Sequence, residues 1–320
     1  MYIAEAVKIL PNGWLNLPNQ QEPDSCWSHL PASTQDKIHL QRLQHWLYIT
    51  YVAGQTPPDL GASELENRRV RNLDVDFAKT LQAYNCGSGY WDKDWHVLRR
   101  HNDGSLAVQK QDLTVYVLPN HHLPPQQRSA QVGDRVAIRL PSNRIDRDEY
   151  VAVGNAGIPQ GQCLGIFLHL NATSVLPVMQ HLTQWLNQAH LPFTLAVPYD
   201  PDWYPRRDAG VLQVRQVDAT KVLSGLQQRY SNLAGHLGSE TALFTKALAP
   251  GLAIAEQPSP PESFSTHRCR LVAEGILAGG NDHAQRQQAI AQQFEQAGIP
   301  LETPYLNPGS IDRYAVFASG

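Results

Sequence analysis

Lysine is scarce in this 320-residue chain, with seven beside nineteen arginines, so each lysine outside a plain helix surface is a candidate for chemistry. Common catalytic motifs are missing as well: there is no P-loop, no GxGxxG after a strand, no GxSxG elbow and no kinase catalytic loop. Those absences argue against nucleotide-binding and serine-hydrolase readings. The 13 histidines include no HExxH, and His121 and His122 fall in a proline-flanked loop, so neither a metal nor another cofactor is indicated. Cys26, Cys86, Cys163 and Cys269 are far apart and form no CxxC, the pattern of reduced thiols. No apolar run approaches membrane-spanning length, and the opening MYIAEAVKIL has no basic segment followed by a signal-peptide core. A soluble, cytoplasmic protein is therefore expected. With 26 basic residues against 29 acidic, the formal charge of −3 provides no global field for nucleic acid or an anionic membrane. Any attraction for anions must be local.

The periodicity predicts α+β architecture: a mostly antiparallel sheet with packed helices and an N-terminal helical layer. Residues 1–90 are expected to form that layer or cap, and residues 91–320 the α+β part, the two forming one compact unit or separate ones. One helix is predicted from a cap at Ser33 through Ile38, Leu43, Leu47 and Val52 to a stop at Gly54, and a second through Leu73, Phe77, Leu81 and Tyr84. Period-two stretches then predict strands over Trp95–Leu98, Leu106–Val108, Leu113–Val117, Arg135–Leu140 and Tyr150–Val153. Further strands are expected at Gly165–Leu170, Phe193–Val197 and Gly210–Arg215, with helices at Ser174–Ala189, Thr220–Leu237, Phe264–Leu277 and Asp282–Ala297. Glu256–Glu262 reads as a flexible link.

Six basic side chains from the middle of the chain onward, Arg139, Arg206, Arg207, Lys246, His267 and Arg268, are expected in loops or at element ends. Arginine forks bind phosphate or carboxylate through paired charged hydrogen bonds, while lysine loses its proton readily once desolvated. Together they suggest an anion site with a proton carrier.

The strings GDRVAIRLPSN (Gly133–Asn143), YVAVGNAG (Tyr150–Gly157), RRDAGVLQV (Arg206–Val214), FTKALAPGLAIAEQP (Phe244–Pro258), SFSTHRCRLVAEGIL (Ser263–Leu277) and PYLNPGS (Pro304–Ser310) resemble the HopA-type effector family. Similar proteins occur in bacterial peptide-modification clusters, notably those for class V lanthipeptides, where they are taken to act as lyases. The resemblance implies β-elimination: a kinase-like protein partner phosphorylates serine or threonine in a precursor peptide, and the HopA-like protein removes phosphate to leave a dehydroamino acid. The alternative it leaves open is a noncatalytic module that binds peptide or protein.

Elimination needs a base for the substrate Cα proton, an acid for the departing oxygen and fixed positive charge around the phosphate. Lys246, flanked by Phe244 and Leu248, is the first candidate base because an apolar setting lowers a lysine pKa; phosphate anchoring or a structural ion pair is the competing role. Lys110 at a strand end is a second candidate, as base, phosphate ligand or solvated charge. His267 is the candidate acid beside Arg268, against a purely structural histidine. Arg206 and Arg207, in a turn with Asp208 at hand to orient one of them, are candidate phosphate ligands, as are Arg268 and Arg139. Arg135 and Arg139 share one strand face. Asn143, Asn155 and Asn171, at strand ends, can hold peptide backbone or simply form turns.

Overall fold

Two antiparallel sheets of unequal size carry this protein, one sealed by helices and one standing beside it. The computed structural model describes residues 7–10, 14–18, 29–55, 74–146, 148–260 and 262–317. Cys26, Leu73 and the link residue 261 lie outside the described residues, as does most of the opening segment. A short ribbon of β1 (Lys8–Ile9) and β2 (Leu15–Asn16) precedes helix α1 (Ala32–Leu47), which runs on into a π-helical turn, Tyr48–Ala53. Helix α2 (Val75–Tyr84) then leads to the smaller sheet: β3 (Tyr90–Arg100), β4 (Leu106–Lys110), β5 (Leu113–Val117) and β6 (Arg135–Leu140). The larger sheet follows with β7 (Asn143–Asp146), β8 (Glu149–Val153), β9 (Cys163–Leu170), β10 (Phe193–Pro198), β11 (Arg206–Arg215), β12 (Lys246–Ala249) and β13 (Leu252–Glu256). Its helices are α3 (Val175–Gln188), α4 (Ala219–Ala234), α5 (Phe264–Ala278) and α6 (His283–Gln296).

The seven-stranded sheet has the order β12-β13-β9-β11-β10-β8-β7, and the four-stranded one β5-β4-β3-β6. This is the expected α+β class. Strand β9, CLGIFLHL, is buried along both faces, so it reads as a nearly continuous apolar run rather than an alternation. On α3, Val175, Val178, Met179, Leu182 and Leu186 recur at helical spacing and are almost wholly buried; each such side chain contributes about 1.5–3 kcal/mol relative to exposure. Phe264 of α5 packs on Phe167 of β9, with ring centroids 5.7 Å apart. Helix α1 packs on α5, and its π-helical turn on β11. The smaller sheet has a separate core of Trp95, Val97, Leu106, Val108, Val117, Val136 and Ile138, closed by Leu123 and Ala130 from the β5–β6 connection.

Several expectations need correction. The first helix begins without a side-chain cap, so Ser33 plays no such part; it stops, as expected, at Gly54 with φ 75°, where glycine carries no Cβ penalty. Strand β3 is far longer than Trp95–Leu98, because register shifts between Asp92 and Trp95 and between Val97 and Arg99 interrupt the alternation that marks a strand. Strands β12 and β13, an antiparallel pair about the turn at Pro250 and Gly251, have no counterpart among the predicted elements. Glu256 begins no flexible link: it ends β13, almost fully buried, and accepts hydrogen bonds from Asn307 N, Tyr314 Oη and Gln216 Nε2. Arg206 and Arg207 open β11 rather than lying in a turn before it, and His267 and Arg268 lie within α5; Lys246 begins β12, an element end as expected, and Arg139 lies in β6 where a strand was predicted.

Candidate functional site

At one end of the larger sheet the starts of β8 and β11 adjoin the end of β10, since Glu149 pairs with Pro198 and β10 runs antiparallel to β11. Here β11 shifts register against β9 between Arg206 and Gly210. Such a bulge re-aims side chains out of the regular pleat. Arg206 Nε donates to Asp208 Oδ1 at 3.0 Å, and both side chains are buried. Tyr48 Oη, at the start of the π-helical turn, donates to Asp208 Oδ2 at 2.7 Å and also meets the Arg206 guanidinium. That guanidinium faces the rings of Tyr48 and Trp203 at 5.5 and 5.8 Å, where stacking adds to charge attraction. Burial pushes the Glu149 carboxyl pKa up, with Arg206 opposing and Asp208 reinforcing the shift; burial also pushes up the Tyr48 phenol. A fixed cation, a phenol and a carboxyl whose pKa is pushed up by burial therefore lie at a sheet end, beside a π-helical turn of the kind that often marks functional sites.

The neighbouring Arg207 points elsewhere, as alternation requires, and forms a two-pronged ion pair with Glu240 at 2.9 and 3.0 Å. Lys246 is not in the apolar setting expected of a desolvated base: it forms an ion pair with Asp312, and its ammonium lies 5.5 Å from the Tyr305 ring centroid. Asp312 also accepts from Tyr305 Oη at 2.8 Å. Arg268 is fully buried and donates to the carbonyls of Pro304 and Leu306 at 2.7 and 2.8 Å, which pins the C-terminal segment; burial draws its pKa down to about 10. Its Nη1 lies 2.6 Å from His267 Nδ1. Guanidinium can only donate, so Nδ1 accepts and Nε2 bears the proton. Burial, then Arg268, draw the His267 pKa down, favouring the neutral imidazole, a weaker proton donor than the acid role asks for.

Lys110 lies on the other sheet and donates to Asp92 Oδ1 at 2.7 Å and to the Lys93 carbonyl at 2.9 Å. Arg139, also there, donates to the Ser88 carbonyl at 2.7 Å, while Ser88 N donates to Asn155 Oδ1 at 2.7 Å. Asn143 pairs with Ala152 in the next strand. The structure thus gathers Arg139 and Asn155 around Ser88 at the junction of the sheets. Asn171 acts locally, its Oδ1 accepting from Thr173 N, Thr173 Oγ1 and Ser174 N at the start of α3. The candidates do not share one hollow. Lys246 pairs with Ile254, Ile254 with Ile166, and Ile166 with Leu212, so three strand spacings, about 14 Å, separate it from β11.

The outward face of the smaller sheet has a different character. Register places Arg139 beside Trp91, Arg135 beside His96 and Gln109, and Arg99 beside Ala107 and Tyr116, all opposite in facing to the buried Val97, Val108, Val136 and Ile138. The shared facing of Arg135 and Arg139 is as alternation requires. Arg139 lies 5.4 Å from the Trp91 ring centroid. Among the described residues no carboxylate forms an ion pair with Arg99, Arg135 or Arg139. A hollow of about 410 Å³ opens beside His96, walled by Leu98, Gln109, Gln111 and Val132.

Sequence reasoning takes Tyr48 for aromatic bulk and passes over Glu149. The one signal for Glu149 is an acid directly before the apolar run Tyr150–Val153. Cys86, Cys163 and Cys269 are free thiols, and no helix among the described residues is long and apolar enough to cross a membrane.

The HopA1 effector protein family matches residues 140–306. The chain is similar to the solved structure of an effector protein from Pseudomonas syringae pv. syringae strain 61, at 15% identity and TM-score 0.42, covering 87% of this chain and 99% of that one. It is also similar to the effector protein from Pseudomonas syringae pv. tomato strain DC3000, at 14% identity and TM-score 0.45, covering 86% and 97%. No curated protein matches the chain.

Proposed function

Because this chain belongs to the HopA1 effector protein family, we propose that it is a metal-independent lyase acting on a phosphorylated precursor peptide. In the reaction a base takes the Cα proton of phosphoserine or phosphothreonine, and the freed pair forms the Cα=Cβ bond. The Cβ–O bond breaks, and phosphate leaves with the bridging oxygen. A kinase-like partner must act first, since only an esterified hydroxyl leaves readily.

The observation that carries this reading is the cluster around Arg206. Buried and locked by Asp208 and Tyr48, Arg206 is a positioning charge rather than a group in contact with substrate. Glu149, half-buried with a raised pKa, is the proton-exchanging group, because a carboxyl that holds its proton more tightly is also a stronger base once ionised. Arg207 faces away from Glu149 and is held by Glu240, so it is not assigned to the phosphate of this site. Lys246 and Lys110 remain alternative bases that would first have to leave Asp312 and Asp92.

Incubation with a phosphothreonine peptide, followed by mass spectrometry for loss of phosphoric acid, tests the reading. Glu149→Gln is expected to lower the rate by roughly 10²-fold or more, while Lys246→Ala and Lys110→Ala retain it if they stay folded. Loss confined to one lysine variant moves the base to that residue. Intact phosphopeptide throughout, with the wild type folded, sinks the lyase reading. A second reading, a noncatalytic peptide-binding module, is favoured by one observation: Lys246, Lys110, Arg206 and Arg207 each already face a carboxylate. Phosphopeptide retained and bound without elimination identifies that case.

A further inference from the structure

Two arginines stand outward on β6 with no acid holding them. Arg135 and Arg139 share a facing, and four residues of extended strand set their Cα atoms about 13 Å apart. Arg135 is exposed and pairs in register with His96 of β3, while Arg139 pairs with Trp91 and lies 5.4 Å from its ring centroid. Of the Arg139 guanidinium only Nη2 is engaged among the described residues, by the Ser88 carbonyl and hydroxyl. Ser88 precedes Tyr90, the partner of Leu140, so Arg139 leans away from Arg135. The two do not close on a single small anion.

Neighbouring charges do not cancel them. The register shift between Asp92 and Trp95 sets Lys93 and Asp94, one of each sign, opposite Ala137 and between the two arginines. Asp92 is held by Lys110 and Trp95 Nε1, Asp134 Oδ2 accepts from Gln131 N, and Asp103 accepts from Ser105 at the β3–β4 turn. Asp112, in the β4–β5 turn, is at least two strand spacings, about 10 Å, from β6. Leu98 continues β3 past His96 and Val132 precedes β6, so the hollow of about 410 Å³ that they wall lies beyond Arg135, on the side away from Arg139. Leu98 and Val132 are 46% and 62% exposed, an apolar wall open to a guest side chain.

We propose that this face of β3 and β6 binds an extended acidic segment of a partner polypeptide, with an apolar side chain in the hollow and carboxylates four residues apart on Arg135 and Arg139. Alternate side chains of an extended guest face the sheet, so the apolar residue comes two before the first acid. Each guanidinium then offers a carboxylate its paired donors. Spacing sets nucleic acid aside: one strand carries a charge about every 3.4 Å, which two cations about 13 Å apart leave mostly unmatched, and it has nothing to place in an apolar hollow. The proposal does not depend on the lyase reading, because the guest needs no phosphate.

Fluorescence anisotropy with a labelled, unphosphorylated eight-residue peptide tests it: leucine first, glutamate third and seventh, threonine elsewhere. Wild type is expected to bind, with affinity falling as salt rises. Moving the second glutamate from the seventh position to the fifth should weaken binding roughly fivefold, the worth of one exposed ion pair. Arg135→Glu should weaken it roughly tenfold, loss of a pair plus repulsion, with an unchanged melting temperature. Where that variant melts early the peptide supplies the check: lysine in place of the third glutamate should restore binding to Arg135→Glu and weaken it for wild type. Asp94→Asn removes the acid between the arginines while keeping a residue tolerant of the positive φ of 66° there, and should tighten binding. No binding by wild type, equal affinity for the two glutamate spacings, or no rescue by lysine overturns the proposal. An oligothymidylate or anionic vesicles bound more tightly than the peptide, and lost with Arg135→Glu, overturn it in favour of a general polyanion surface. Concentration-dependent dimerisation lost with Arg135→Glu overturns it in favour of a second copy.

Discussion

Five cations in the seven-stranded body face carboxylates: Arg206 with Asp208, Arg207 with Glu240, Arg215 with Asp218, Lys246 with Asp312, and Arg270 with Glu262 and Glu274, while Arg268, Lys221 and Arg229 donate to backbone carbonyls. On the four-stranded sheet only Lys110 has a carboxylate partner among the described residues, and Arg99, Arg135 and Arg139 share a face without one. The larger sheet is sealed and the smaller one open. Burial explains the contrast, because a charge taken out of water must be paired, or hydrogen-bonded as Arg268 is to two carbonyls, or it costs several kcal/mol, whereas a solvated one need not be. Pairing inside the body therefore reports structure, whereas the arginines of β3 and β6 leave their sheet face able to attract an anion.

Four substitutions test that division. Arg206→Ala strands the Asp208 carboxylate in the interior, so urea unfolding should show a loss of about 3–5 kcal/mol. Arg268→Ala leaves the Pro304 and Leu306 carbonyls without their donor; about 1–3 kcal/mol is expected for each group left unsatisfied, with earlier proteolysis of the C-terminal segment as a second readout. Glu149→Gln acts through pH. A carboxyl whose folded pKa is raised contributes stability that is fully present below its unfolded pKa and lost as pH rises through the folded one. Thermal melts across that window should show wild type losing stability that the glutamine variant keeps, and coincident curves would remove Glu149 from the buried cluster. Smallest of all, Arg135→Ala on the open face should change unfolding free energy by no more than about 0.5 kcal/mol. A large loss there would break the comparison.

Much of this is legible in the chain. Strand β6 and strand β5 fall where period-two alternation places them, and α3, α5 and α6 end within a residue or so of their predicted limits. The misses have local causes. Strands β12 and β13 are alanine-rich, and alanine is a poor strand former on its own; they become strands because β9 lends β13 a partner. Strand β3 reads short because of bulges that a pattern of alternation cannot anticipate. For the candidate site, Arg206 and Asp208 are legible as neighbours two residues apart, but Tyr48 is not, being 158 residues from Arg206.

Local spacing by itself determined most of the helices and strands, though not β12 and β13, that the class is α+β, and that Arg135 and Arg139 share a facing, since all three follow from the fixed periods of the backbone. Tertiary structure alone decided which cations are neutralised, which sheet face stays open, and that a tyrosine, an arginine and two acids meet at one sheet end. Those outcomes depend on contacts between residues far apart in the chain, and such contacts are settled by how whole faces pack rather than by any neighbour in sequence.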